Sequence, residues 1–490
     1  MAVDYDLVVI GDTQAGRHAA VAAARLQARV ALVETQQPAK NSLGTGFIHS
    51  KALTQVAAMT KRLGEVNQFG VFWETESDPQ GRTVPSVRFR DAWEWASGVV
   101  STVEELHSPA VLASLGVDVI AGDGEFCRRP HLAFVARDRH LRSRAYLIAS
   151  GSRAAIPDIE GLESTGYLTP GDIWQQTIPK QLPSSLVVIG GGAVGTEMAQ
   201  TLVRLGVSVT LVVKGSHILP KEDPEASFLV QSQLETEGVR VLTEAAVTQV
   251  KRIDDKKWIL GGNKAIEADE IMLVTRQMPN VEALNLEGVG VKWHRRGIEL
   301  NEKLQTTNPR IYACGDAIGG YQFAHIAEYE ARVALKNALF LPIFKLDYRG
   351  IPWAIFSDPQ LARVGLTEAQ ARRRYGKDVL VLRQYFKTVS RALMLGETTG
   401  LCKIIVRGNG EILGASIVGS EAGELIHAIA LAMRQKLKVG AIANLPHISP
   451  TLSEIISQTA AEWHRQRLSS NTRLEDLLEG FFNLRRSWSS

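Results

Sequence analysis

One hydrophobic pattern occurs twice along the chain. "YDLVVIGDTQAGRHAAVAAARLQARVALVE", from Tyr5, and "SSLVVIGGGAVGTEMAQTLVRLGVSVTLVV", from Ser184, each pass from a short apolar run through glycines and an amphipathic stretch to a second apolar run. The pattern predicts strand, glycine turn, helix and strand. That is a βαβ unit whose turn lets the backbone approach a pyrophosphate at a helix N-terminus. A third stretch, "NPRIYACGDAIGGYQFAHIAEYEARVALKNAL", predicts a short strand ending at Gly315 and Asp316, then a helix beginning near Ala324. An Asp at a strand end either binds a ligand hydroxyl or caps a turn.

Length and composition narrow the picture only a little. At 490 residues the chain exceeds one hydrophobic core, and about 150 residues per domain predicts roughly three domains. A net charge of +3 gives no reason to expect a nucleic-acid partner. Cys127, Cys314 and Cys402 are the only cysteines, far apart and without metal-ligand spacing, so neither a disulfide framework nor a metal site is expected. The start "MAVDYDLVVIG" lacks the features of a secretory signal, and no apolar run is long enough to span a membrane. A cytoplasmic protein is expected.

The two repeats are not equivalent. The second carries Gly190, Gly192 and Gly195, a complete fingerprint. The first keeps Gly11 and Gly16 but has Thr13 in the middle, where a side chain would crowd the phosphates. Glu34, at the end of the following strand, stands where a carboxylate accepts ribose hydroxyls, so a working site is still expected.

Taken in order, these motifs resemble the pyridine nucleotide-disulfide oxidoreductases over roughly residues 3 to 465. "IASGSRAAIPDI", with Ser150 and Gly151, and "YACGD" are further family-like segments, while "IFSDPQLARVGLTEAQA" and "GEILGASIVGSEAGELIHAIALAM" look like a dimerisation domain. The resemblance implies an α/β fold: two Rossmann-like domains, for FAD (1-155 and 285-347) and NAD(P)H (156-284), plus an α+β dimerisation domain (348-465) and a tail (466-490). It implies a homodimer. It also places Gly11 and Gly16 at the FAD pyrophosphate, Glu34 on the adenosine ribose, Asp316 on the ribitol, and Ala324 and His325 at the flavin ring, with Gly190, Gly192 and Gly195 on the nicotinamide cofactor.

The resemblance breaks in two places. "IHSKAL" is similar to the family's I-P-S-K-A-L, with His49 for proline, and counting back puts the two redox cysteines on Ser42 and Phe47. "HISPTLSE" resembles the segment that supplies a catalytic His and its Glu. Here Ser449 holds the His position, Glu454 the partner position, and His447 matches a first, non-catalytic His. Both losses remove dithiol exchange, which needs a thiolate and a base.

What persists belongs to the reductive half. Lys51 and Glu197 match the family's ion pair beside the flavin, where an ammonium stabilises arriving electron density. After the second unit's last strand, Val213 replaces the carboxylate of an NAD-preferring site and Lys214 follows, with His217 and Lys221 close by. This favours NADPH over NADH. In "LVTRQMPN", similar to the family's A-T-G-R-x-P-N, Arg276 and Gln277 replace the Gly-Arg pair near the nicotinamide, Arg276 altering access or adding a phosphate contact. The expected enzyme passes electrons from NADPH through FAD to a quinone or similar small acceptor. Phe47 then forms an aromatic wall or simply fills space, and Ser42, His447 and Ser449 hydrogen-bond a carbonyl or serve structure. A redox-silent nucleotide-binding protein is the competing expectation. In the tail, Thr472 and Glu475 form a capping-box pattern, and Leu474, Leu477, Leu478, Phe481 and Phe482 fall on one helix face before Arg485, Arg486 and Trp488. Residues 472-488 suit either packing on the dimer body or peripheral contact with an anionic membrane.

Overall fold

The computed structural model describes residues 3–34, 46–71, 87–175, 182–262, 264–469 and 472–488. The chain divides into two compact units: Met1–Lys214 with Glu244–Asp347, and Gly215–Thr243 with Tyr348–Ser490.

In the first unit, strand β1 (Tyr5–Ile10), helix α1 (Gln14–Arg25) and strand β2 (Val30–Glu34) form the first predicted βαβ. Helices α2 (Gly46–Glu65) and α3 (Phe89–Glu105) follow, then strands β3 (Val117–Ala121), β4 (Ser143–Ile148) and the short β5 (Ser152–Ala154). The second βαβ is β6 (Ser185–Ile189), α4 (Ala193–Arg204) and β7 (Ser208–Val212). Strands β8 (Glu270–Leu273), β9 (Gln277–Pro279) and β10 (Ile311–Ala313) and helix α5 (Ala324–Leu339) complete what positions the site.

The first parallel sheet runs β10-β4-β1-β2-β3. The runs LVVI in β1, VALV in β2 and AYLI in β4 are unbroken and apolar because both faces are covered. Leu7, Val9, Leu32 and Leu147 face Ala19, Ala20 and Ala23 of α1 and Ala331 and Ala334 of α5, small residues that let helices lie close to the sheet. Val8, Ile10, Val33 and Ile148 point the other way, into a cluster with Phe126, Phe134 and Tyr146. The second βαβ builds the parallel order β7-β6-β8, and β5 pairs antiparallel with β9.

The second unit holds an antiparallel sheet, β11 (Pro352–Ile355), β12 (Gln360–Gly365), β13 (Val379–Tyr385), β14 (Leu401–Arg407) and β15 (Ile412–Gly419), in the order β11-β12-β15-β14-β13. One face packs Val364, Ile404 and Ile417 against helices α6 (Ala422–Arg434) and α7 (Glu454–Ser469). Residues alternate across a strand, so the opposite face lines up Arg363, Ser416 and Lys403 in register. This polar row meets acids of Gly215–Thr243: Arg363 Nε bonds Glu222 Oε2 at 2.6 Å, and Lys403 Nζ lies 2.8 Å from Glu225 Oε2. Those pairs explain why a segment within the 156-284 range clusters with the dimerisation-like sheet.

The tail forms helix α8 (Thr472–Ser487), with Leu477, Phe481, Phe482 and Leu484 exposed. Thr472, Leu474 and Glu475 have side chains outside those described. Among the described residues, no helix is long and apolar enough to cross a membrane.

Candidate cofactor and redox site

Both glycine turns bring a strand end against the start of a helix. A Cβ at Gly16 would lie 2.1 Å from the Gly11 carbonyl oxygen, and one at Gly195 would lie 1.9 Å from that of Gly190. The helices therefore start as close to their strands as a backbone allows. At the second turn Gly192 caps α4 without any side-chain hydrogen bond, and a Cβ added to it would meet nothing within 4 Å.

The first turn is furnished differently. Thr13 caps α1, its Oγ1 accepting from Gly16 N at 3.2 Å and donating to the Ala149 carbonyl at 2.8 Å. The hydroxyl is thus folded onto its own helix and the neighbouring strand end. It occupies one amide of the turn. Glu34 ends β2 as expected, and its carboxyl is raised by burial and then by Asp12, with Arg17 opposing. Asp12 and Arg17, which sequence reasoning overlooked, form an ion pair at 3.4 Å. Among the described residues, Ser150 Oγ and Arg17 Nε are buried without a hydrogen-bond partner. Unsatisfied buried polar atoms around a dinucleotide turn fit a polar ligand there.

Across the sheet end, Ser152 Oγ donates to Asp316 Oδ2 at 2.5 Å, and burial raises the Asp316 carboxyl against that bond. Gly315 N donates to Glu330 Oε2 at 2.7 Å. Glu330 is fully buried on the Ala327, Ala331, Ala334 stripe of α5, and an acid within an apolar stripe was the signal available for it. Ala324 begins α5 half-buried, while His325 is exposed.

Helices α2 and α4 join along a polar seam. Lys51 Nζ pairs with Glu197 Oε2, the glutamate buried and the lysine partly exposed. Thr54 and Thr201 hydroxyls lie 2.9 Å apart, and Ser50 Oγ lies 3.6 Å from Met198 Sδ. Residues 50, 51 and 54 thus meet 197, 198 and 201 by matching helical spacing. Phe47 sits half-buried in the first turn of α2. Its companion Ser42 lies outside the described residues. His49 is buried against Trp93 of α3, ring centroids 4.3 Å apart, with Nε2 3.2 Å from Ser97 Oγ. Burial pushes its pKa down to about 4, so the imidazole is neutral.

Beyond the second turn, Val213 is buried, and a Cβ on Gly191 would meet its Cγ2 at 2.6 Å. Lys214 is exposed. Arg276 is also exposed, and its carbonyl accepts from Ala155 N at 2.7 Å. In the second unit, Ser449 is exposed, and His447 Nδ1 lies 2.9 Å from the Leu445 carbonyl oxygen. Glu454 accepts from Thr451 N at 3.0 Å, so its carboxylate caps the entry to α7. All three cysteines are free; burial pushes the Cys402 thiol up to about 12 and the Cys314 thiol well above its usual range.

Residues 5–331 match the family model described as pyridine nucleotide-disulphide oxidoreductase, and residues 351–460 match that family's dimerisation domain. The chain belongs to this family. It is an FAD-dependent pyridine nucleotide oxidoreductase, and its dimerisation domain supports a homodimer. Mercuric reductase of Staphylococcus aureus is 33% identical over 442 residues, covering 89% of this chain and 78% of the relative. Dihydrolipoyl dehydrogenase of Bacillus subtilis (strain 168) is 32% identical over 472 residues, covering 94% and 96%. Among solved structures, the HOCl-induced flavoprotein disulfide reductase RclA from Escherichia coli superposes with a TM-score of 0.80 at 25% identity, covering 93% of this chain and 99% of that one. FAD suits the first turn of this family member: the unpaired Ser150 Oγ, the Ser152-oriented Asp316 carboxyl and Glu34 are polar groups of the kind its phosphates and hydroxyls require.

Proposed function

We propose that this enzyme reduces quinones or similar small two-electron acceptors with NADPH, without a redox disulfide. The observation that carries the reading is the ion pair of Lys51 and Glu197, retained on a helix whose redox-cysteine position holds Phe47. Glu197, buried on α4, holds the Lys51 ammonium in place, where it stabilises negative charge gained by the flavin. Bound FAD supplies the ability to take hydride from reduced pyridine nucleotide and pass two electrons on. The balanced reaction is NADPH plus a proton plus quinone, giving NADP⁺ and hydroquinone.

In this reading Gly11, Gly16, Glu34, Ser150, Gly151, Gly315 and Asp316 hold FAD, with Ala324 and His325 at its ring. Gly190, Gly192 and Gly195 hold the pyridine nucleotide. Val213 offers no carboxylate to the ribose and Lys214 offers a cation to a 2′-phosphate, which supports NADPH over NADH. Phe47 gives a flat acceptor an aromatic neighbour. Raised thiol pKa values at Cys314 and Cys402 support the exclusion of thiolate chemistry. Glu454 accepts from Thr451 N, so its carboxylate serves the entry to α7.

Steady-state assays with NADPH or NADH against a panel of quinones test the proposal. Quinone-dependent oxidation with higher kcat/KM for NADPH is expected. Turnover only with disulfides overturns the acceptor, and equal efficiency with both nucleotides overturns the cofactor preference. A redox-silent descendant gains one specific support, the Gly16 amide taken up by Thr13. Purified protein that retains no flavin would favour it.

A further inference from the structure

At the first dinucleotide turn, Thr13 Oγ1 accepts from Gly16 N, while at the second Gly192 has no side chain to do so. A helix N-terminus attracts a diphosphate through free amides, and a side-chain cap competes for the same donors. The first turn has therefore lost both its middle glycine and part of an amide cradle.

The same turn carries a cation with unused hydrogen-bonding capacity. Arg17 stands one turn into α1, four residues after the cap, and its guanidinium touches Asp12 through Nη2 at 3.4 Å, a long contact. Its Nε is buried and has no hydrogen-bond partner among the described residues. A guanidinium presents several donors in a planar fork suited to phosphate oxygens. Among the described residues the charged groups near it are Asp12 and, electrostatically, Glu34, whose carboxyl is raised by burial and then by Asp12 and lowered by Arg17. Two acids and one arginine around a site that takes a dianionic diphosphate give Arg17 a plain electrostatic purpose.

We propose that Arg17 is a direct contact for the diphosphate of FAD, replacing the anion-binding capacity that Thr13 removes from the turn, with Asp12 holding the guanidinium until the phosphates displace it. The proposal rests on FAD occupying the first unit. It concerns affinity for the cofactor, not turnover.

Asp12 and Arg17 then have opposite effects, which a purely structural ion pair would not give. FAD retention is measured by dilution of the holoenzyme, following the fluorescence of released flavin at low and high salt, with thermal unfolding as the check on folding. Arg17→Gln is expected to weaken FAD binding about ten- to hundredfold and to reduce its salt sensitivity, with Arg17→Lys between it and the wild type. Asp12→Asn is expected to hold FAD as tightly as the wild type or more tightly. Equal weakening by Asp12→Asn and Arg17→Gln overturns the proposal, because that is the signature of a pair that merely braces the helix. Unchanged affinity and salt dependence in Arg17→Gln also overturns it. Asp12→Asn keeps the test decisive if Arg17→Gln does not fold. Absence of FAD from the wild-type protein would instead remove the FAD assignment itself.

Discussion

The two glycine turns of the first unit have the same backbone plan and different chemistry. Both press a helix start against a strand end so closely that a single Cβ at Gly16 or Gly195 would collide with a carbonyl. The second turn has no side-chain cap, whereas the first spends one amide on Thr13 and adds a charged pair, Asp12 and Arg17. Shape is thus preserved where glycine is sterically required, and the polar groups around it vary.

The largest expected effects come from breaking each turn separately. Gly195→Ala should abolish flavin reduction by NADPH, more than about a hundredfold in rate, while bound FAD is kept. Gly16→Ala should give protein purified without flavin. Loss of flavin in both variants, read from absorbance, would show that the turns do not act independently.

Next in size is the seam within the first unit, α2 against α4. Lys51→Met should slow flavin reduction about ten- to hundredfold in stopped-flow measurements with little change in nucleotide affinity. An unchanged rate would reduce the pair to a packing contact.

Smaller effects sharpen the comparison at Thr13. Thr13→Ala removes a cap and should cost about 1 kcal/mol in denaturant unfolding, whereas Thr13→Gly should cost only a few tenths. Thr13→Gly, by making the first turn resemble the second, should also tighten FAD binding. Weaker binding would mean that the Thr13 hydroxyl itself serves the cofactor.

The smallest effect is in pH dependence. The folded protein holds His49 neutral, with a pKa pushed from 6.5 down to about 4 by burial, while the unfolded chain takes up its proton below 6.5. His49 burial is therefore fully compatible with folding above pH 6.5, and stability falls as pH drops from 6.5 towards 4. Substituting His49→Asn should flatten that part of the stability profile in thermal unfolding. A profile unchanged by the substitution would assign the acid sensitivity elsewhere.

Much of the fold was legible because strands buried on both faces write themselves as unbroken apolar runs, as "LVVI" does in both repeats. The Lys51 and Glu197 pair was legible through family resemblance, since the two residues lie 146 positions apart with no local signal joining them. For the same reason the Arg363 and Glu222 pair, the Glu330 bond to Gly315 and the Trp93 cover over His49 were not foreseen. Each joins residues that only the folded chain brings together, and periodicity carries no information on such partners. Thr13 was noticed for its bulk. Its rotamer, which decides whether it crowds the phosphates or caps the helix, depends on the Ala149 carbonyl from a strand far along the chain.

The central claim is that electrons pass through the flavin without a dithiol store. Anaerobic titration of the holoenzyme with NADPH tests it by counting electrons. Full bleaching of the flavin at about one equivalent of NADPH per flavin is predicted, because Ser42 and Phe47 stand where the resemblance puts the redox cysteines and Cys127, Cys314 and Cys402 are free. Uptake of about two equivalents per flavin would contradict the account, since it would reveal a reducible partner beside the flavin.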